Sequence, residues 1–221
     1  MSTAPMSMST ASVTTAPFSQ QLREATDGAH QDAERSTFVE DLVGERLPLA
    51  DYARFVAQLH AVYTTLESEA SAAATDPVVA PFLAPELVRV PSLTADLEYL
   101  VGADWSSQIE TLPATDAYCE RIRASAAWNG GIVAHHYVRY LGDLSGGQFL
   151  GRVVARVYDL PDGLGTSLYR FDDIASPKAF KEAYRAHLDA APWTIDERAR
   201  IVDEANAAFA CNAAIFTALT A

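Results

Sequence analysis

Residues 137–153 read YVRYLGDLSGGQFLGRV, and this stretch decides the fold. The apolar spacing from Ile132 to Tyr158 is helical, yet glycine interrupts it at positions 142, 146, 147 and 151. An interior glycine costs a helix about 1 kcal/mol relative to alanine, so Gly142, Gly146 and Gly147 together cost about 3 kcal/mol and should kink or loosen it. Gly142 and Gly146 are four apart and share a face, where bare backbone can press against something flat and bulky. The same spacing also suits close packing of two helices.

Outward from this stretch the apolar residues keep helical spacing, and no hairpin dipeptide lies between alternating runs, so the chain is expected to be all-α. The first helix is expected from about Ser19 through QLREATDGAHQDAER. Ser36 looks like the cap of a short helix over 37–43 that Gly44 stops. A core-facing helix follows Pro48, with Tyr52, Phe55, Val56, Leu59, Val62, Tyr63 and Leu66 at intervals of three and four. Prolines 77, 81, 85 and 91 break the next section before a helix over 92–101. Further helices are expected over 113–125, 176–188 and 194–219, with a connecting loop over 161–173. There is no internal repeat and no linker, so residues 18–221 form one domain behind a disordered tail, MSTAPMSMSTASVTTAP, over 1–17.

The 221 residues are 49% hydrophobic, enough for one sizeable core, and carry a formal net charge of −13. That charge argues against nucleic acid or an anionic membrane as partner, since either requires a basic face. An anionic ligand must then be held by a few local cations. No run approaches the about 20 apolar residues of a membrane span, and the N-terminal stretch lacks the charge and apolar core of a secretory signal. Cys119 and Cys211 have neither metal-site spacing nor the number for a disulfide framework, which suits the cytoplasm.

YVRYLGDLSGGQ resembles the distal-helix signature of the haem oxygenase family, and LREATDGAHQDAE at 22–34 is similar to its proximal-helix segment. The resemblance continues in order through AQLHAVYTTLESE (57–69), FKEAYRAHLD (180–189) and EANAAFACNAAIF (204–216). It implies a single-domain helical bundle that clamps haem b between the first helix and the glycine helix. His30 then stands at the position of the iron ligand, and Glu34, one turn on, at that of the acceptor that orients its ring. Arg23, two turns before His30 and about 10.5 Å along the axis, would reach a propionate. Lys181 and Arg185 match the other propionate positions. Family members carry a lysine one turn after the first cation, where this chain has Asp27.

On the distal side the resemblance places Gly142 and Gly146 over the iron. Asp143 is expected to turn away and hold ordered water, with Arg139 and Tyr63 as network partners. Tyr137, Ser145 and Gly147 join the haem contacts, and Phe209, Asn212 and Phe216 finish the pocket wall, although aromatic residues at this spacing also suit plain core. His60, His135, His136 and His187 are expected to be structural. Adjacent histidines on a helix point about 100° apart and do not easily share a metal.

The activity implied is oxidative cleavage of haem, both cofactor and substrate, to biliverdin, carbon monoxide and ferrous iron. It consumes O₂ and electrons from outside. The chain has no nucleotide, flavin or iron–sulfur motif, so a ferredoxin or an NAD(P)H-dependent reductase is the expected donor, docking at Lys178, Lys181 and Arg185. A monomer is expected. Two readings compete: a haem-binding or storage protein that does not turn over, and a structural bundle whose glycines only pack helices. Asp143 separates the first from an enzyme, since a pure binder has no need of a carboxylate beside the glycines.

Overall fold

A computed structural model describes residues 16–220. Residues 1–15 of the expected tail lie outside the described residues, and Ala16 and Pro17 lead directly into the first helix. The described chain is helical without strands. It comprises α1 (Phe18–Glu34), α2 (Thr37–Val43), α3 (Leu49–Ala72), α4 (Val90–Leu100), α5 (Trp105–Gln108), α6 (Pro113–Ser125), α7 (Asn129–His136), α8 (Gln148–Val157), α9 (Pro177–Ala190) and α10 (Ile195–Leu219). Short 3₁₀ turns fill 80–82, 85–87 and 167–169.

Local chemistry sets most ends. The Ser36 hydroxyl accepts from Val39 N, Ser176 caps α9 in the same way, and Thr194 with Glu197 forms a reciprocal capping box at α10. Pro113 opens α6 where its missing N–H costs nothing. Two details stand out. Pro91 sits in the first turn of α4, so that helix starts at Val90, two residues before the expected Ser92. Gly44 ends α2 at φ −83°, and the left-handed residue is Glu45 at φ 60°. The glycine is needed there for space: a Cβ would meet the Glu40 carbonyl at 2.9 Å and the Arg46 guanidinium.

α3 is the central core helix. Tyr52, Val56, Val62, Tyr63 and Leu66 are fully enclosed, each side chain of this size contributing about 1.5–3 kcal/mol by leaving water. α3 packs on α4 and α6, while α10 runs beside α1, α6 and α7. Between α7 and α8 the glycine stretch loosens into two π-helical turns, Tyr137–Leu141 and Asp143–Gly147. Such turns release the tight i→i−4 ladder where helix propensity is low, so the run from 129 to 157 stays continuous instead of breaking at its glycines.

Candidate functional site

A cleft lies between α1 and the glycine helix. Its larger lobe, about 430 Å³, is lined by His30, Glu34, Gly142, Gly146, Phe209 and Asn212 among others. Its smaller lobe, about 220 Å³, is lined by Arg23, Asp27, His30, Tyr137, Ser145 and Arg185 among others. His30, Val138, Gly142 and Phe209 line both lobes, so the two adjoin.

The floor is backbone. A Cβ built on Gly142 or on Gly146 meets no atom within 4 Å, so each glycine opens onto empty cleft and is not buried against a second helix. Val138, Gly142 and Gly146 follow at intervals of four, and Phe149 and Leu150 extend the strip to the mouth, where Phe149 is 57% exposed. Val138, Phe149 and Leu150 were not among the sequence candidates, although their spacing from the two glycines places them on the same face.

His30 rises from α1 with its side chain 41% exposed. Its ring meets Phe209 edge to face at 5.8 Å between centroids, which fixes it laterally. Glu34 Oε1 lies 3.6 Å from His30 Nε2, too long for a hydrogen bond.

Beside the floor stands a buried polar cluster. Tyr63 donates its hydroxyl to Asp143 Oδ2, Arg139 Nε donates to the Tyr63 oxygen at 3.3 Å, and Arg139 Nη2 lies 3.8 Å from Asp143 Oδ1. Arg139 Nη1 donates to Asn212 Oδ1 at 2.8 Å, tying the glycine helix to α10. Burial raises the Asp143 carboxyl above the usual carboxylate range, with Arg139 and Tyr63 pulling the other way. Burial also opposes the Arg139 charge, but Tyr63 and Asp143 outweigh it and keep the guanidinium protonated.

In the smaller lobe Arg23 and Arg185 supply positive charge, and both act on the Tyr137 phenol, which burial nonetheless raises. Lys181 is drawn toward the glycine helix: its Nζ donates to Ser145 Oγ at 3.0 Å and to the Leu144 carbonyl at 3.3 Å. Gly147 departs from its expected place among the ligand contacts. A Cβ there would meet Tyr169 Cδ1 at 3.2 Å, so this glycine faces the core and not the cleft. Its neighbour Gly146 is rotated by about 100° and faces the cleft.

The other histidines are structural: His60 pairs with Thr94 at 3.1 Å, His135 with Glu204 at 3.0 Å and His136 with the Tyr184 hydroxyl at 3.0 Å. The ring of His187 meets Phe82 edge to face. Burial lowers His136 to about 3. Among the described residues no three His, Cys, Asp or Glu side chains converge on a metal site.

A helical bundle that presents a histidine, a bare glycine floor and two cations to a cleft has the space and charge to suit a flat, anionic ligand. The family profile described as Heme oxygenase matches residues 16–218. "Heme oxygenase 1" of a Nostoc species is 41% identical over 205 residues, covering 91% of this chain and 85% of the relative. Heme oxygenase-1 from the cyanobacterium Synechocystis, solved in complex with heme, superposes with a TM-score of 0.87 at 38% identity over 92% of each chain. Heme oxygenase from Leptospira interrogans superposes equally well, with a TM-score of 0.87 at 35% identity over 92% of this chain and all of that one. The chain belongs to the haem oxygenase family, whose reaction is the oxidative degradation of haem to biliverdin.

Proposed function

We propose that the cleft seats haem with His30 on the iron, Arg23 and Arg185 on the propionates, and the Asp143 cluster as the site that manages protons during ring opening. The observation that carries this is the open floor at Gly142 and Gly146, where no described atom stands within 4 Å of an added Cβ. When bound, haem supplies both the iron that activates O₂ and the ring that is opened, with biliverdin, carbon monoxide and ferrous iron as products.

The chain's own residues do the rest. Phe209 holds the His30 ring by its edge-to-face contact, and Glu34, one turn on, is the acceptor that would orient it. Gly142 and Gly146 admit a small diatomic ligand and deny space to nothing but the solvent they displace. Tyr63 and Arg139 fix the Asp143 carboxylate, whose remaining acceptor capacity would hold ordered water, and that water would supply the proton toward the cleft. Phe149 and Phe216 restrict water at the mouth. Lys181 bridges α9 to Ser145, so the helix bearing Arg185 keeps its register with the floor.

Electrons come from a separate ferredoxin or NAD(P)H-dependent reductase, docking where Lys178, Lys181 and Arg185 offer positive charge in an otherwise acidic protein. Lys178 is strongly exposed and only loosely paired with Glu182 at 4.0 Å, which suits such a contact. The free thiols of Cys119 and Cys211 fit a cytoplasmic location, and no described helix is long and apolar enough to cross a membrane.

Adding haem to the purified protein, then a reductant in air, tests the whole reading. Loss of the Soret band with biliverdin and carbon monoxide appearing supports the enzyme, whereas a stable Soret band under competent reduction means a binder. His30→Ala should abolish turnover while the apoprotein stays folded, and added imidazole should restore part of it. Unchanged spectra and rate in His30→Ala would remove this histidine from the iron.

A further inference from the structure

The glycine helix carries two bare strips. Gly142 and Gly146 face the cleft, and one step round the helix Gly147 and Gly151 face the core, where the Tyr169 ring lies against them. A Cβ on Gly151 would come within 2.9 Å of that ring. On Gly147 it would stand 3.2 Å from Tyr169 Cδ1, 3.4 Å from Asp143 Cβ and 3.6 Å from Asp143 Oδ1. Tyr169 and the Asp143 carboxylate therefore flank one small space that stays clear because residue 147 has no side chain.

Tyr169 is itself held firmly. The Asp96 carboxylate accepts from Ser167 N and Leu168 N, both at 2.8 Å, and Ser167 Oγ donates to the Ser92 carbonyl at 3.0 Å, which anchors the turn to α4. Tyr169 is only 4% exposed, yet among the described residues no group meets its hydroxyl in good hydrogen-bond geometry. A buried hydroxyl left alone is costly, and ordered water is the usual remedy where polar groups converge. Asp143 and Arg139 are among the charges this phenol feels, and the Tyr52 hydroxyl lies near enough to act on it as a hydrogen-bonding neighbour.

We propose that Tyr169 is a positioning residue for Asp143: its ring seats the Asp143 turn through Gly147 and Gly151, and its hydroxyl donates to the back of the carboxylate through one buried water. The proposal rests on the haem oxygenase reading for its consequence in turnover, but its geometry belongs to the apoprotein. Tyr169 would thus do from the core side what Tyr63 and Arg139 do from the other, leaving the carboxylate a single direction in which to address the cleft.

The test begins without haem. The carboxyl carbon of Asp143 is followed by NMR through a pH titration of the apoprotein, in wild type and in Tyr169→Phe, which keeps the ring volume and so the fold. Loss of a donated hydrogen bond disfavours the charged form, and the Asp143 midpoint should rise by about one pH unit, a tenfold change in proton affinity. Gly147→Ala tests the steric half: the added methyl should move the Asp143 resonance and midpoint, and Gly147→Ala with Tyr169→Leu should return both toward wild type because the ring has gone. With haem, Tyr169→Phe should bind normally and form biliverdin several-fold more slowly, with its pH profile displaced in step with the Asp143 midpoint.

An Asp143 titration unchanged in Tyr169→Phe overturns the hydroxyl's role, and one unchanged in Gly147→Ala overturns the ring's. Failure of the wild-type protein to open haem would refute the proposed function and leave these apoprotein titrations to decide the positioning role by themselves.

Discussion

Tyr63 on α3 donates its buried hydroxyl to the carboxylate of Asp143 on the glycine helix, a contact between residues eighty positions apart. It makes the orientation of Asp143 a property of the tertiary fold and not of its own helix turn. Removing the carboxylate should therefore damage proton management and leave ligand binding alone. Asp143→Ala is expected to bind haem with wild-type affinity and His30 ligation, while biliverdin formation falls about a hundredfold. Asp143→Asn, still able to hold water, should lose about tenfold. Wild-type biliverdin formation by Asp143→Ala with the same electron donor would refute the assignment.

The direction of the Asp143 shift gives a pH prediction. Burial raises this carboxyl, and its ionised form is the one that Arg139 and Tyr63 hold. Turnover should then fall as pH is lowered through the raised midpoint, well before an ordinary surface aspartate titrates. Asp143→Asn should show a lower and flatter profile over the same range. Rate measured against pH at saturating haem decides it, and an identical acid limb in both proteins would assign that limb to another group.

Glu204 carries the opposite sign. Burial opposes its charge, but His135 Nε2 at 3.0 Å and Arg121 Nε and Nη2, both at 2.9 Å, outweigh that and lower it to about 2. A carboxyl depressed in the folded state stabilises above its unfolded value and loses that contribution as pH falls toward the folded one. Glu204→Gln should destabilise the apoprotein by about 2 kcal/mol at neutral pH, a fall of about 5 °C in Tm. The difference should vanish between about pH 4.5 and pH 2. A gap in Tm that persists at low pH would show that packing, not charge, is what the substitution removes.

Much of this was legible because it is local. Ser36, Pro113, Ser176 and Thr194 mark helix starts through contacts within one turn, and each helix begins at the residue after its cap or at the proline. His30 with Glu34, and Gly142 with Gly146, share faces by spacing alone. What spacing cannot supply is the partner. Gly146 and Gly147 are the same letter one position apart, yet one opens on the cleft and the other on Tyr169, which arrives from a turn pinned by Asp96. The π-helical turns were also hidden: glycine predicts a kinked or loosened helix, while the choice of π geometry depends on neighbours from α3, α9 and α10.

Gly146→Leu turns the open floor into a measurement. Nothing stands within 4 Å of a Cβ there, so the folded apoprotein can accept a side chain without a clash. Leucine also favours the helix, and the apoprotein should gain about 0.5–1 kcal/mol. The same side chain then projects into the cleft, and haem affinity should fall at least about tenfold, a cost of roughly 1.4 kcal/mol in binding. Apoprotein Tm and a haem titration, taken together, separate the two effects. Greater stability with undiminished binding would mean that this glycine serves the helix and not the ligand.

Asp27 is the anomaly of the smaller lobe. It lines the space beside Arg23 and Arg185, and its Oδ2 accepts from Gln31 Nε2 at 2.7 Å, which holds it there. A carboxylate placed where propionates arrive repels them, and the lobe's cations must overcome that repulsion as well as their own desolvation. Because the site is open to water, the repulsion is screened and should amount to about 0.5 kcal/mol. Asp27→Asn keeps the hydrogen bond to Gln31 possible and removes the charge, so haem should bind about two- to threefold tighter at low ionic strength, with the advantage shrinking as salt is added. Biliverdin carries the same propionates and should leave more slowly from the variant, so steady-state turnover limited by product release would fall even as haem affinity rises. Weaker haem binding by Asp27→Asn at low salt would show that the carboxylate orients Arg23 or Gln31 toward the ligand, and the repulsion argument would then fail.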